Sequence, residues 1–228
     1  MPHTSAAHAG LRMSALTLIL AVLCVQVHDG GPLTGADVPV TSWAVGNRSA
    51  VLDHAALLVT DLGSPVATVA LAVICGLALA WHRRSAIPAV LVVGTVGAAT
   101  TASTALKLVV ERSRPALDLQ EVLEPDYSFP SGHVTGTAAL LGITAAILLG
   151  RRRRLVRVCG GAVVGCGVVL VAATRVYLGV HWLTDVVAGA ILGAVFVTVG
   201  AATYERVHPP VGAPAPSKPL PAVDRVGG

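Results

Sequence analysis

The sequence predicts an all-α membrane protein, a polytopic bundle of about six transmembrane helices. Hydrophobic residues make up 54% of the 228 residues and the mean hydropathy is +0.75, whereas charged residues make up only 12%. Charged residues usually account for about a quarter of a soluble domain. Apolar segments of membrane-spanning length also recur along the chain, and a helix needs about 20 such residues to cross the hydrocarbon core.

Six apolar segments fit such a helix. They are residues 11–28, 65–81, 88–110, 134–150, 155–174 and 183–204. Several are rich in Gly, Ala, Ser and Thr, which suits close helix packing in lipid. The first could be a secretory signal peptide, but Arg12 is its only cation and the stretch near Ala36 is a poor cleavage site. We therefore expect it to remain as a helix.

The segments outside these spans are predicted as loops, one short helix and a tail. Residues 48–62 have apolar residues near helical spacing, which fits either a short helix on the outer interface or an ordinary loop. Residues 1–206 are expected to form one integral membrane domain. Residues 207–228 contain six prolines and are predicted to be a disordered cytoplasmic tail.

The basic residues predict the orientation of the chain. With a cytoplasmic amino terminus, 11 of the 16 Lys and Arg residues lie inside, including Arg83–Arg84 and Arg151–Arg154. This topology explains the net charge of +4 better than a nucleic-acid partner does, so none is expected. The Ala, Val, Gly and Arg bias is typical of a GC-rich bacterial genome, which favours the plasma membrane.

The four cysteines lie within apolar segments, at positions 24, 75, 159 and 166. They lack the spacing of metal ligands, and a disulfide framework is not expected at such depths. We interpret them as small buried hydrophobic residues.

The first group of candidate functional residues lies at the end of the third span. Lys107 and Arg114 are seven residues apart, about two helical turns, so a helix that continues through them places both on one face. Pro115 should then end that helix, because proline cannot continue the hydrogen-bond ladder. Cations at the end of a membrane helix can also simply extend to the interface.

The second group, Pro130, Ser131, Gly132 and His133, directly precedes the fourth span. Ser131 is a candidate N-cap residue. Gly132 lets backbone N–H groups approach a ligand, and a helix N-terminus favours an anion. His133 should lie in the first helical turn. A purely structural cap would look the same.

The third group joins the last two spans. Arg175 closes one span, and Gly179 offers a break before the next. His181 and Asp185 are four residues apart and should share a helix face. The carboxylate could then accept a hydrogen bond from one imidazole nitrogen and leave the other free to attack. Ionisable groups at the edge of a membrane are costly and indicate function by default.

Together the three groups resemble the three-part signature of the type-2 phosphatidic acid phosphatase and haloperoxidase-like superfamily, over residues 107–185. The third part usually begins Ser-Arg, whereas this chain has Thr174-Arg175, which keeps the hydroxyl and adds a methyl group. The haloperoxidase branch is soluble and this chain is not. The resemblance therefore implies the membrane phosphatase branch.

The resemblance implies a role for each matching residue. His181 would attack phosphorus and form a phosphohistidine, Asp185 would orient it, and His133 would protonate the leaving oxygen and then help to activate water. The phosphoryl oxygens would be held by Lys107, Arg114, Ser131, Gly132 and Arg175. With so many donors, no metal or other cofactor is expected, and no carboxylate cluster typical of Mg²⁺ is present in the sequence.

The expected partners are the bilayer and a lipid phosphate substrate. The substrate could be phosphatidate, phosphatidylglycerophosphate, or a polyprenyl phosphate or diphosphate. Two alternatives stay open: a phosphotransferase that passes the phosphate to a lipid or sugar, and a non-catalytic membrane protein that has kept the phosphate pocket. In the predicted orientation, all three groups lie on the non-cytoplasmic face, so the active site is expected there.

Overall fold

Residues 2–208, the part that the computed structural model describes, form eight α-helices and two short 3₁₀ turns and contain no strand. The helices are α1 (Pro2–His28), α2 (Asp37–Gly46), α3 (Ala50–Leu62), α4 (Pro65–Arg83), α5 (Ile87–Val110), α6 (Gly132–Leu149), α7 (Arg154–Tyr177) and α8 (Leu183–Val207). The all-α prediction is confirmed. Most of the predicted tail, residues 209–228, lies outside the described residues.

Six of the helices in this part of the chain are long and apolar enough to cross a membrane: α1 from Ala7, and α4 to α8 in full. This confirms the predicted number of spans. Helix α4 begins with Ser64, whose hydroxyl accepts a hydrogen bond from the N–H of Ala67 at 3.2 Å, and with Pro65 at its first position. The predicted spans match the observed helices to within a few residues, apart from the longer amino-terminal part of α1.

The segment predicted as either a short helix or a loop is a helix, α3. Ser49 caps it by accepting a hydrogen bond from the N–H of Leu52. Helix α3 packs against α7 and buries Ala56 and Thr60. It lies, with α2, at the end of the bundle where α5 and α7 finish and α6 and α8 begin.

Helices α6 and α8 form the most extensive helix pair in the bundle, and glycines make their close approach possible. A Cβ at Gly189 would lie 2.6 Å from the carbonyl oxygen of Ser131. A Cβ at Gly193 would lie 2.6 Å from the Cβ of Ala138 and 2.9 Å from the carbonyl oxygen of Thr135. Small residues at such contacts let membrane helices pack closely. They also bring the first turns of α6 and α8 side by side.

The cysteines only partly match their prediction. All four are free thiols, in keeping with the expectation of no disulfide. However, none of the four is buried: Cys24 and Cys75 are half-buried, and Cys159 and Cys166 are exposed on α7. The hydrophobic pattern could not show this, because a helix in lipid is apolar on its outward face as well.

We expect Gly193→Ala to lower the thermal unfolding midpoint of the detergent-solubilised protein. The added methyl group must push α6 and α8 apart, and overpacking of this kind costs about 1–3 kcal/mol. The matched control is Gly165→Ala on α7, where an added Cβ meets no atom of a neighbouring element within 4 Å in the described structure. It should keep or raise the midpoint, because alanine favours helix. Equal midpoints for the two variants would contradict the proposed close packing.

Candidate active site

The structure brings the predicted site residues together where α5 and α7 end and α6 and α8 begin. These residues are Lys107, Arg114, Ser131, Gly132, His133, Arg175, His181 and Asp185. The rings of both histidines lie within range of the positive charges of Lys107, Arg114 and Arg175. Three parts of the sequence that are distant from one another therefore build one site that contains three cations and two histidines.

The prediction that one continuous helix carries Lys107 and Arg114 is wrong. Helix α5 ends at Val110, and Glu111 adopts the left-handed conformation with φ of 50°. Pro115 disfavours helix at the residue before it, and the hydroxyl and N–H of Ser128 bind the carbonyl oxygen of Arg112 instead. Long-range hydrogen bonds thus replace the last helical turn.

Arg114 nevertheless reaches the site, because the extended segment folds back over the end of the bundle. Its Nη1 donates to the carbonyl oxygen of Val180 at 2.7 Å and lies 3.2 Å from Nε2 of His181. Its Nε donates to the carbonyl oxygen of Asp126. Because Arg114 is held by backbone on two sides, its guanidinium is fixed beside the histidine.

Ser131 occupies the predicted N-cap position of α6, but its side chain does not cap the helix. The Ser131 Oγ is buried and has no hydrogen-bond partner among the described residues. Its backbone is firmly placed, since its N–H donates to the carbonyl oxygen of Asp185 at 3.0 Å. Gly132 and His133 form the first turn of α6, so the free N–H groups of that helix end face the same region.

His181 and Asp185 do meet, although His181 precedes α8 rather than lying within it. The Nδ1 of His181 lies 3.4 Å from Oδ2 of Asp185, which also accepts a hydrogen bond from the N–H of Trp182 at 2.9 Å. Gly179, with φ of 69°, provides the predicted break after α7. The chain turn, not the spacing along one helix, therefore brings the pair together.

The electrostatic surroundings favour the neutral form of the His181 ring. Burial, and then the positive charges of Arg114 and Arg175, hold the pKa of the His181 imidazole well below its usual range. With Nδ1 facing a carboxylate and Nε2 facing the guanidinium donor of Arg114, the geometry assigns the proton to Nδ1. The lone pair on Nε2 then points into the cationic site.

Arg175 is almost fully buried, at 1% exposure. Its Nη1 donates to the hydroxyl of Thr60 at 2.8 Å, so α3 supports it. Its Nη2 pairs with Glu124. The hydroxyl of Thr174 donates to the carbonyl oxygen of Val171 within α7, which shows that the hydroxyl next to Arg175 serves the helix.

Two carboxylates that sequence reasoning did not select lie directly on the site cations. Glu124 pairs with Arg175, and Asp126 pairs with Lys107 at 2.8 Å and with Arg114 at 2.5 Å. Burial would raise the pKa of the Asp126 carboxyl, but the hydrogen bonds and charges of Lys107 and Arg114 outweigh it and hold that pKa below its usual range. Both acids lie in the predicted outer loop, and their sequence carries no local pattern that marks them.

A second missed group lies behind Asp185. Arg112 bridges Oδ1 of Asp185, at 2.5 Å, and the buried Asp37, at 2.6 Å. Asp37 begins α2 and is 2% exposed. The sequence offered only a general signal for these two residues: isolated ionisable groups near the ends of membrane spans are costly and therefore indicate a function.

Among residues 7–208, whose side chains the structure describes, no group of three or more His, Cys, Asp or Glu is arranged to hold a metal ion.

Comparison with known proteins extends these observations. The sequence model of the PAP2 superfamily matches residues 86–208. Phosphatidylglycerophosphatase B of Bacillus subtilis is 30% identical over 185 residues, which cover 78% of this chain and 88% of that protein. Decaprenylphosphoryl-5-phosphoribose phosphatase of Mycobacterium tuberculosis is 33% identical over 171 residues, 69% of this chain and 84% of that protein.

A solved structure is similar along most of the chain. The crystal structure of a transmembrane PAP2 type phosphatidylglycerolphosphate phosphatase from Bacillus subtilis superposes with a TM-score of 0.78 and 28% sequence identity. The match covers 86% of this chain and 97% of that one. Most of this helical chain thus has a counterpart in an experimentally determined fold.

Proposed function

The chain belongs to the PAP2 superfamily, and from that premise we propose that it is a membrane phosphatase that hydrolyses a lipid phosphate or diphosphate through a phosphohistidine on His181. One observation carries the proposal: the buried imidazole of His181 presents Nε2 to the guanidinium of Arg114 at 3.2 Å, while Asp185 faces Nδ1 at 3.4 Å. The relatives named above act on phosphatidylglycerophosphate and on a decaprenyl-linked phosphate. They support phosphatidylglycerophosphate and polyprenyl-linked phosphates within the proposed substrate class, which also includes phosphatidate and polyprenyl diphosphates.

In the first step, Nε2 of His181 forms a bond to phosphorus and the bond to the leaving oxygen breaks. Positive charge develops on the imidazole as it becomes substituted at both nitrogens, and Asp185 stabilises that charge through Nδ1–H. His133, in the first turn of α6, donates the proton that the leaving oxygen needs. In the second step His133 takes a proton from water, which attacks phosphorus, releases phosphate and restores His181.

The phosphoryl oxygens are held by fixed donors throughout both steps. Lys107, Arg114 and Arg175 supply charge, and the buried Ser131 Oγ lacks a partner within the described structure, so it can turn towards an oxygen. The N–H of Gly132 adds the helix N-terminus. Such preorganised donors stabilise charge in the transition state at no cost of reorganisation. We propose on this basis that catalysis proceeds without a metal.

The substrate must compete with the carboxylates of the outer loop. Glu124 and Asp126 occupy the hydrogen-bonding groups of the cations that phosphate requires. An incoming phosphate therefore displaces two carboxylates as it binds. The strength of these ion pairs is part of the free energy of binding for any substrate or inhibitor anion.

We further propose that the protein lies in the plasma membrane with its active site on the non-cytoplasmic side. Arg83–Arg84 lie at the junction of α4 with the next loop, and Arg151–Arg154 lie in the loop after α6 and at the start of α7. Short connections with such basic residues lie on the cytoplasmic side by the positive-inside rule. The site residues lie at the opposite helix ends. A lipid headgroup can reach them there while its chains stay in the bilayer.

The proposed function is tested by phosphate release from purified, detergent-solubilised protein against a panel of lipid phosphates, in the presence of EDTA. The wild-type protein should turn over at least one of them. His181→Ala should lose activity by at least about 10³-fold and form no phosphoenzyme, because the attacking nitrogen is gone. Asp185→Asn should be less impaired than His181→Ala but still severely so.

Wild-type rates from His181→Ala would remove the nucleophile assignment. Activity that EDTA eliminates and Mg²⁺ restores would require a different mechanism. Comparable expression and the same elution volume on size exclusion would show that the variants are folded.

Glu124→Gln should lower the inhibition constant of orthovanadate, which mimics five-coordinate phosphorus, by about two- to tenfold. The amide cannot compete as strongly for Arg175, so the anion displaces a weaker contact. Glu121→Gln is the matched control, since Glu121 lies in the same loop and faces Arg48 at 3.6 Å instead. An unchanged or higher constant for Glu124→Gln would show that the carboxylate does not compete with the anion.

Sidedness is tested by cysteine labelling in a background without the four native cysteines. A cysteine at Asp118, which is exposed in the loop after α5, should react with an impermeant maleimide in intact cells. A cysteine at Ala86, exposed in the loop before α5, should react only after permeabilisation. The reverse pattern would invert the topology and place the site on the cytoplasmic side.

A further inference from the structure

We infer that Arg112 and Asp37 are positioning residues that hold Asp185 in the orientation needed to direct His181. This inference rests on the proposed function, because it assigns a role within that reaction. Neither residue touches the reacting nitrogen Nε2. They act through Asp185, from the side of it that faces away from His181.

The two carboxylate oxygens of Asp185 have different hydrogen-bond partners. Oδ1 accepts a hydrogen bond from Nη1 of Arg112 at 2.5 Å. Oδ2 accepts the N–H of Trp182 at 2.9 Å and faces Nδ1 of His181 at 3.4 Å. Because Oδ1 is held by a guanidinium, the carboxylate cannot rotate away and Oδ2 stays directed at the ring.

Arg112 is itself fixed on several sides. Its Nη2 donates to Oδ2 of Asp37 at 2.6 Å, and its Nη1 also donates to the hydroxyl of Thr184 at 2.7 Å. Its guanidinium carbon lies 5.7 Å from the centroid of the Trp182 ring, a cation–π distance. A planar guanidinium suits such bridging between two carboxylates, whereas the ammonium group of lysine does not offer the same fork.

Asp37 completes the arrangement from α2. Its Oδ1 accepts the backbone N–H of Thr184 at 2.9 Å, and its Oδ2 accepts the Thr184 hydroxyl at 2.7 Å. Asp37 therefore binds both the first turn of α8 and the arginine that holds Asp185. Asp37 and Asp185 are 2% and 0% exposed, and buried charges of this kind require a partner of opposite sign.

Direct binding of phosphate by Arg112 fits the structure less well than a positioning role. Both of its terminal nitrogens already bind buried carboxylates, in contrast to Arg114 and Lys107, whose carboxylate partner Asp126 is half exposed in the loop. A phosphate would have to break contacts that compensate two buried charges. The contacts of Arg112 thus differ in kind from those of the site cations.

The test compares steady-state kinetics of wild-type protein, Arg112→Lys, Asp37→Asn and the double variant on the lipid phosphate that the wild type hydrolyses best. Each single variant should lower kcat by about tenfold to 100-fold, since misplacement of a catalytic group can cost about 100-fold. KM should stay within about twofold, because the substrate contacts are intact. The double variant should be less impaired than the product of the two single effects, because both residues act through one contact.

Asp53→Asn is the matched control. Asp53 is also an outer-end aspartate that accepts a hydrogen bond from a side-chain hydroxyl, that of Tyr177 at 2.7 Å, and it has no contact with Asp185. Its kcat should equal that of the wild type. A second readout is chemical rescue: ethylguanidinium should restore kcat to Arg112→Ala in a saturable way and should not affect Asp37→Asn.

Wild-type kcat in both single variants would overturn the inference, and so would a raised KM with unchanged kcat, which would assign Arg112 to substrate binding. If Arg112→Lys does not accumulate as folded protein, the nearly isosteric Asp37→Asn decides by the same criteria. A wild-type protein without activity on any lipid phosphate would refute the proposed function instead. That result is seen before any variant is compared.

Discussion

The compensation of buried charge is the constraint on which the rest of this structure depends. The site gathers Lys107, Arg112, Arg114 and Arg175 at one end of an apolar bundle, where an unpaired charge costs several kcal/mol even after relaxation. Each of these cations has a carboxylate within 4.0 Å. The acids come from α2, from the loop between α5 and α6 and from α8, so neutralising the site also fixes how these three segments meet.

The helix packing supplies the geometry that this charge pairing needs. Glycines on α8 let it approach α6 until Ser131 and Asp185 share a backbone hydrogen bond. The same approach places the first turn of α6, with its free N–H groups, next to the histidine that precedes α8. Helix α3 adds the hydroxyl of Thr60 behind Arg175. Small residues in the spans therefore let the helices approach closely, and polar residues at the span ends pair their charges. Both are needed to form the site.

Sequence reasoning reached the spans, and it selected eight candidate site residues that the fold brings together, because both have local signals. Twenty apolar residues have few structural options in a protein of this composition, and ionisable groups between them stand out. It failed where contacts between distant segments determine the local structure. The end of α5 at Val110, for example, depends on hydrogen bonds from Ser128. Asp37 and Glu124 are ordinary acids in the sequence, and only the fold places them against Arg112 and Arg175.

Under the proposed function, substrate binding is an exchange of one set of negative charges for another. Glu124 and Asp126 bring two carboxylates to Lys107, Arg114 and Arg175. A phosphate monoester carries about −1.5 to −2 at pH 7. Replacing the two carboxylates by the phosphate therefore leaves the local charge nearly unchanged, and the buried cations keep their compensation. Because these acids belong to a loop and Asp37 and Asp185 belong to helices, the exchange can occur at the front of the site while the charges behind His181 stay in place.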